Sequence, residues 1–215
     1  MDRTQTMRAA IFEMDGTLID SMPAWRNLNA EFIRSHGMTL TPEQEQELYS
    51  LTGTQVIPYF KEHFGLESDF ETLCAMACRS MEPVYAAGLP LKPGAGEYLD
   101  RLRARGVKLV VATATPPRQA LVALNRMNLV TKLDYIFSAE MLGMSKNQPE
   151  FFDRLCALIG ERPESCVMFE DALYAMRGAR AAGLGVVGIT DTTNLHDREA
   201  IRQTCDRLID SYDEL

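Results

Sequence analysis

The sequence predicts an α/β fold in which a parallel sheet is covered by helices on both faces and carries one inserted helical segment. Three observations predict it. An apolar run near the N-terminus reads as a buried strand, short apolar runs alternate with helical patterns after residue 107, and residues 22–88 between them have helical periodicity without a strand pattern. This alternation is typical of βα units, which build parallel sheets.

Each element can be assigned in chain order. The run 8–13 predicts a strand that ends in a turn, the insert is predicted to hold four helices, and 89–94, with two prolines and a glycine, is predicted to link the insert to the next helix. The remaining predicted elements are strands at 108–112, 135–137, 165–169, 185–189 and 207–210, and helices at 118–126, 150–159 and 172–182.

Composition restricts the class of protein. The 215 residues are 46% hydrophobic with a net charge of −8 spread over the chain, which is typical of a soluble globular protein and argues against nucleic acid as a partner. There is no apolar stretch of membrane-spanning length, and the five cysteines form no CxxC pair. We expect a cytoplasmic protein with reduced thiols, a monomer or weak dimer that binds no membrane.

Polar residues follow four of the predicted elements, where a parallel sheet gathers its functional side chains. Taken singly, they also fit turns, helix caps or surface charges. These residues are Glu13, Asp15, Gly16 and Thr17 after the first strand, Thr113 and Thr115 after the second, Ser145 and Lys146 before the helix at 150, and Glu170 and Asp171 after the strand at 165–169.

Together these residue types suit phosphoryl transfer. The carboxylates of Glu13, Glu170 and Asp171 are the oxygen ligands that Mg²⁺ prefers. Thr113 and Lys146 are predicted to hold phosphate oxygens and to neutralise their charge. Asp15 is predicted to donate a proton to the leaving oxygen and then to activate a water.

The segment 12–21, Phe-Glu-Met-Asp-Gly-Thr-Leu-Ile-Asp-Ser, resembles the first motif of the haloacid dehalogenase superfamily, usually Asp-x-Asp-Gly-Thr. The resemblance continues in order through Thr113, Lys146 with Pro149, and Glu170-Asp171. It implies a Rossmann-like core at 1–21 and 89–215, a helical cap at 22–88, and Mg²⁺-dependent hydrolysis of a small phosphorylated metabolite. It also implies metal ligation by Glu13, Asp15, Glu170 and Asp171, and substrate contacts from Gly16, Thr17, Thr113, Ala114 and Lys146.

One residue departs from the family pattern. Glu13 stands where the resemblance implies a nucleophilic aspartate, and its extra methylene moves the carboxylate by roughly 1 Å, a displacement that can cost on the order of 10²-fold in rate. Three interpretations stay open: Glu13 is a displaced nucleophile, it only binds metal in a weak or inactive protein, or it is an engineered or erroneous change.

The insert is expected to select the substrate. The candidates are Trp25, Arg26 and Gln55, with Lys92 from the return linker. For a sugar-phosphate mutase the resemblance implies a basic phosphate ligand after a glycine of the cap. The corresponding stretch 51–55 has no Arg or Lys, which favours a phosphatase. A catalytically inactive phosphate- or Mg²⁺-binding protein is the main alternative, and a dehalogenase is the least favoured.

Overall fold

The computed structural model describes residues 3–50, 53–65 and 70–215. The described residues form one six-stranded sheet in which every neighbouring pair is parallel. The strand order is β3-β2-β1-β4-β5-β6. The strands are β1 Ala9–Phe12, β2 Lys108–Thr113, β3 Tyr135–Ser138, β4 Cys166–Glu170, β5 Gly185–Ile189 and β6 Arg207–Ile209.

Helices surround this sheet and fill the segment between β1 and β2. In the insert they are α1 Met22–Ser35, α2 Pro42–Ser50, α3 Gly53–Phe64 and α4 Phe70–Ala87. Elsewhere in the described chain they are α5 Ala95–Ala104, α6 Pro117–Arg126, α7 Ala139–Leu142, α8 Pro149–Ile159, α9 Leu173–Ala181 and α10 Arg198–Thr204, with short 3-10 turns at Val130–Lys132, Pro163–Ser165, Leu195–Asp197 and Tyr212–Glu214.

The two faces of the sheet bury alternate residues of each strand. Phe12 of β1 packs in an apolar cluster with Tyr98 of α5 and Leu124 of α6, whereas its neighbour Ile11 packs on the other face with Phe152 of α8. This alternation follows from the two-residue period of a strand. The sheet is therefore covered by helices on both faces, as the sequence predicts.

The direction in which the strands are added reverses at β1. The chain places β2 and β3 on one side of β1, then returns to place β4, β5 and β6 on the other. In open α/β sheets the crevice at such a switch point, outside the carboxyl ends of the strands, is where ligands bind. Phe12 pairs with Val111 and with Phe169, so the residues after these three strands share that crevice.

The helical insert, residues 22–88, has an apolar cluster of its own around Ile33, Phe60 and Leu73. It also contacts the sheet domain, because Met81 and Tyr85 of α4 are buried in the cluster that covers one face of the sheet. The predicted division into a core and a cap stays a prediction.

The sequence assignments are close to the observed elements. The strand at 185–189 is confirmed, most other predicted ends lie within one residue of the observed ones, and the edge strand near 207 pairs with β5. Two short helices, α7 and α10, were not predicted. Cys156, Cys166 and Cys205 are free thiols. Among the described helices, none combines the length and apolar character that crossing a bilayer requires.

Candidate active site

The centre of the crevice is Glu13, which directly follows β1. Its backbone N–H donates to the carbonyl of Phe169 at 3.0 Å, which continues the pairing with β4 and fixes the direction of the side chain. The side chain is buried, with 5% of the residue exposed.

Both carboxylate oxygens of Glu13 accept hydrogen bonds. Oε1 accepts from the Thr113 hydroxyl at 2.5 Å and from the Met14 N–H at 2.9 Å. Oε2 accepts from the Ala114 N–H at 3.3 Å and from the Lys146 ammonium. The carboxylate therefore lies on the groups that the sequence predicts to hold phosphate.

Lys146 is almost fully buried, at 2% exposed, and bridges two carboxylates. Besides Glu13 it contacts Glu170, with Nζ 2.7 Å from Oε2. Burial lowers the pKa of Lys146, but the charges of Glu13 and Glu170 outweigh burial and raise its pKa well above the ordinary value. Lys146 is therefore charged over the whole physiological range and acts as a fixed cation.

A glycine positions the loop that carries Lys146. A Cβ at Gly178 of α9 would overlap the backbone carbonyl of Lys146. Helix α9 can therefore approach this loop only because residue 178 has no side chain, which holds the ammonium between β1 and β4.

Asp15 lies in the turn after β1 and accepts two hydroxyl hydrogen bonds. The Tyr85 hydroxyl donates to Oδ1 at 2.8 Å and the Thr115 hydroxyl to Oδ2 at 2.7 Å. Burial and the charge of Glu13 raise the pKa of Asp15 above its ordinary value, although these hydrogen bonds oppose the rise. A carboxyl group with a raised pKa retains a proton to a higher pH, which suits a general acid.

Asp171 follows β4 and is held by the turn that contains Gly16. The Thr17 hydroxyl donates to its Oδ1 at 2.8 Å, and the Asn194 side chain donates to its carbonyl at 2.9 Å. Gly16 has φ +70°, and a Cβ there would overlap the Asp171 carboxylate. Gly16 and Thr17, predicted to contact the substrate, thus contact Asp171 in the structure.

The carboxyl groups of the site are suitable ligands for a divalent cation, but they do not converge on one point. Glu13 and Glu170 pair with Lys146, whereas neither Asp15 nor Asp171 has an ion pair within the described part of the chain. Burial, then the charge of Glu170, raises the pKa of Asp171 well above its ordinary value, and the opposing effects of the Thr17 hydrogen bond and of the Lys146 charge do not outweigh them.

Among the residues that the structure describes, no three His, Cys, Asp or Glu side chains converge closely enough to hold a metal. The four predicted ligands, Glu13, Asp15, Glu170 and Asp171, therefore remain a prediction. Hard carboxylate oxygens with uncompensated charge are the donors that Mg²⁺ takes.

A cavity of about 450 Å³ extends from these carboxylates towards the insert. Lys146 and Ala114 line it on the sheet side, and Trp25 and Arg26 line it on the insert side. Their predicted contacts with a substrate remain a prediction. The side chain of Gln55 lies outside the described residues.

Lys92 does not line this cavity. Its ammonium pairs with Asp191 and, at 3.2 Å, with Asp20, so it joins the two linkers of the insert to the loop after β5. The expectation that Lys92 faces a substrate from the insert is wrong, because two carboxylates that are distant in sequence bind its charge.

Sequence reasoning missed Tyr85, Asn194 and Tyr174, which either contact the site or line the cavity. Tyr85 lies 70 residues from Asp15 in an amphipathic helix, where a tyrosine usually indicates only a packed face. The sequence positions of these residues do not indicate that they belong to the site, because only the folded chain brings them to the crevice.

The sequence model of the haloacid dehalogenase-like hydrolase family matches residues 7–183. This chain belongs to that family. It is 31% identical to validoxylamine A 7'-phosphate phosphatase of Streptomyces hygroscopicus subsp. limoneus over 91% of this chain and 90% of that protein. It is 26% identical to the phosphorylated carbohydrates phosphatase of Thermotoga maritima over 87% of this chain and 88% of that protein.

A solved structure supports the same architecture. CbbY from Rhodobacter sphaeroides in complex with phosphate superposes with a TM-score of 0.80 at 24% identity, covering 97% of this chain and 96% of that chain. At this identity the likeness establishes the fold alone. The predicted family and the predicted α/β fold are both confirmed.

Proposed function

We propose that the protein is a Mg²⁺-dependent phosphomonoesterase that hydrolyses a small phosphorylated metabolite. The observation that carries this proposal is that Glu13, Asp15, Lys146 and Asp171 line one cavity at the switch point of the sheet. Family membership and relatives named for phosphorylated carbohydrates support it.

Asp171 is the carboxylate that best suits Mg²⁺, because it has no ion pair among the described residues, whereas Glu13 and Glu170 pair with Lys146 and Asp15 is given the role of proton donor. When bound, the ion supplies positive charge to the phosphoryl oxygens. The chain itself supplies Lys146, whose fixed charge beside Glu13 would stabilise the same oxygens.

In the proposed reaction a Glu13 oxygen forms a bond to phosphorus while the bond from phosphorus to the alcohol oxygen breaks. The leaving oxygen takes the Asp15 proton. Asp15, now a carboxylate, then removes a proton from a water, whose oxygen attacks the phosphorus and releases inorganic phosphate and the Glu13 carboxylate. The raised pKa of Asp15 supports its first role.

Glu13 also explains why this reaction is expected to be slow. The Thr113 hydroxyl and the Lys146 ammonium, proposed to hold phosphate, already donate to Glu13. A substrate phosphate must displace these contacts before attack is possible, and the longer side chain leaves the nucleophilic oxygen too far forward.

The test is phosphate release, with and without Mg²⁺, from a panel of sugar and nucleotide monophosphates. The chain as written is expected to release phosphate only with Mg²⁺, and Asp15→Asn is expected to lose on the order of 10³-fold in rate because it has no proton to give. If no substrate is hydrolysed, or if Asp15→Asn is as active as the parent chain, the proposal is wrong.

A second candidate is a phosphate-binding protein without turnover. The observation that favours it is that both oxygens of Glu13 are hydrogen-bonded to the predicted phosphate clamp. Calorimetric titration with inorganic phosphate and Mg²⁺ distinguishes the two candidates, because a binding protein takes up phosphate while every substrate of the panel stays intact.

A further inference from the structure

The cavity is polar at the sheet and apolar at the insert. Its wall on the insert side is formed by Trp25, Leu28 and Phe32 of α1, which are half-buried. Behind them lie Val56 and Phe60 of α3 and Leu73 of α4, which are almost fully buried and also belong to the insert's own apolar cluster. Phe32 stacks on Phe60 with the ring centroids 5.5 Å apart, which holds the Phe32 ring in this wall.

The wall has few groups that can hydrogen-bond a polyol. Its polar side chains on the insert side are Arg26, Asn29 and Ser80, with the thiol of Cys78 as a weak donor. A sugar phosphate brings four or more hydroxyls, and each hydroxyl that loses water without finding a partner weakens binding. An apolar alcohol loses nothing there and gains from burial, by about fourfold in affinity for each buried methylene.

The size of the cavity supports an occupant larger than phosphate. Its volume of about 450 Å³ lies in the range of small-molecule sites, and the carboxylates and Lys146 line it together with the apolar residues of the insert. A phosphoryl group placed at Lys146 therefore leaves the attached alcohol in the rest of the cavity, whose lining includes Leu28 and Phe32.

We propose that this site selects phosphomonoesters whose alcohol is aromatic or branched aliphatic, in preference to phosphorylated sugars and polyols. This inference rests on the proposed function for the position of the phosphoryl group. It differs from what the names of the relatives indicate, because it is derived from the wall that this chain's own α1, α3 and α4 build.

The experiment compares three phosphates of primary alcohols, so that the bond broken is the same and only the wall contacts differ. The substrates are benzyl phosphate, 3-methylbutyl phosphate and sorbitol 6-phosphate, each with Mg²⁺. The kcat/KM for benzyl phosphate is expected to exceed that for sorbitol 6-phosphate at least tenfold, with 3-methylbutyl phosphate between them. Equal values, or a preference for sorbitol 6-phosphate, would overturn the inference.

A matched pair of variants tests whether the apolar wall causes the preference for benzyl phosphate. Leu28→Gln adds a polar group to the wall at a half-buried position and is expected to reduce the benzyl-to-sorbitol ratio about tenfold. Leu121→Gln makes the same change on α6, where Leu121 is 43% exposed and away from the cavity, and is expected to leave the ratio unchanged. Equal ratios for Leu28→Gln and the parent chain would contradict the inference.

Binding separates this inference from the proposed function. If no phosphate ester is hydrolysed, the proposed function has failed. Calorimetry with benzylphosphonate and 2,3-dihydroxypropylphosphonate still measures whether the cavity binds an aromatic group more tightly than a hydroxylated one. The aromatic phosphonate is expected to bind at least tenfold more tightly. Equal affinities, or binding of neither compound, would overturn the inference independently of turnover.

Discussion

Two lysines lie near the carboxyl edge of the sheet, Lys146 buried and Lys92 partly buried, and each bridges two carboxylates. Lys146 joins Glu13 to Glu170 and lines the cavity, whereas Lys92 joins Asp20 to Asp191 among the linkers of the insert. The two clusters have the same chemistry and different positions. The comparison teaches that a buried ion cluster indicates function only when it opens on a cavity.

The carboxyl groups around the two lysines also differ in how fully they are paired. Around Lys146 two further carboxylates, Asp15 and Asp171, have raised pKa values and no ion pair in the described chain. Around Lys92 the charges are satisfied: the Asp191 carboxylate also accepts from the Thr193 N–H and hydroxyl. The first cluster therefore includes two carboxyl groups without an ion pair among the described residues, and a substrate or cation in the cavity can interact with them.

The largest expected effect is that of removing the cation in the cavity. Lys146→Met is expected to reduce kcat/KM for phosphate release by on the order of 10³-fold, because no fixed charge then stabilises the transferring phosphoryl group. The matched control is Lys92→Met, which is expected to keep kcat/KM within about twofold per folded molecule. Equal losses in the two variants would remove the distinction between the clusters.

The position of Lys146 can be tested without changing its chemistry. Gly178→Ala forces α9 away from the Lys146 loop, and a shift near 1 Å is expected to reduce kcat/KM on the order of 10²-fold. Gly96→Ala makes the same change in α5, where the nearest atom lies 3.6 Å from the added Cβ, and is expected to be harmless. Should both variants retain full activity, the close packing of α9 does not position the lysine.

The Lys92 cluster is expected to act on stability. Lys92→Met leaves Asp191 buried without its cation, which is expected to cost about 3 kcal/mol in the free energy of unfolding at pH 7, measured by urea denaturation. A loss below about 0.5 kcal/mol would show that the linkers do not depend on this ion pair.

The same cluster predicts a pH dependence. Burial raises the pKa of Asp191, but Lys92 and the Thr193 N–H outweigh burial and hold the pKa below its ordinary value of 3.8. A lowered pKa stabilises the fold above pH 3.8, and this contribution is lost as the pH falls through the lowered value. The stability difference between the parent chain and Lys92→Met is therefore expected to shrink in acid; a difference that is constant with pH would contradict this account.

The sequence predicts the sheet well because buried strands have a local signature. A short β-branched run such as Val186-Val187 between glycines is typical of a strand that is buried on both faces. The predicted strand at 185–189 is confirmed at both ends. The short helices α7 and α10 have too few turns for a periodic pattern, so they were not predicted.

The candidate site was predictable where its residues directly follow strands. Glu13, Thr113 and Asp171 are placed by the strand before each of them, so their convergence follows from a parallel sheet. Tyr85 and Asn194 reach the site from a distant helix and loop, and Lys92 reaches its carboxylates through the pairing of two linkers. These contacts depend on tertiary structure, and no local pattern of residues indicates them.

The central claim is that Glu13 occupies the position of the nucleophile and is held there by its own phosphate clamp. The most direct test compares Mg²⁺-dependent kcat/KM of the chain as written with that of Glu13→Asp and Glu13→Gln on one substrate. We expect the aspartate to raise kcat/KM on the order of 10²-fold, because the shorter carboxylate frees Thr113 and Lys146 and withdraws the attacking oxygen by about 1 Å, and we expect the glutamine to abolish turnover. A Glu13→Asp variant no faster than the chain as written, or a Glu13→Gln variant that retains its activity, would contradict the account.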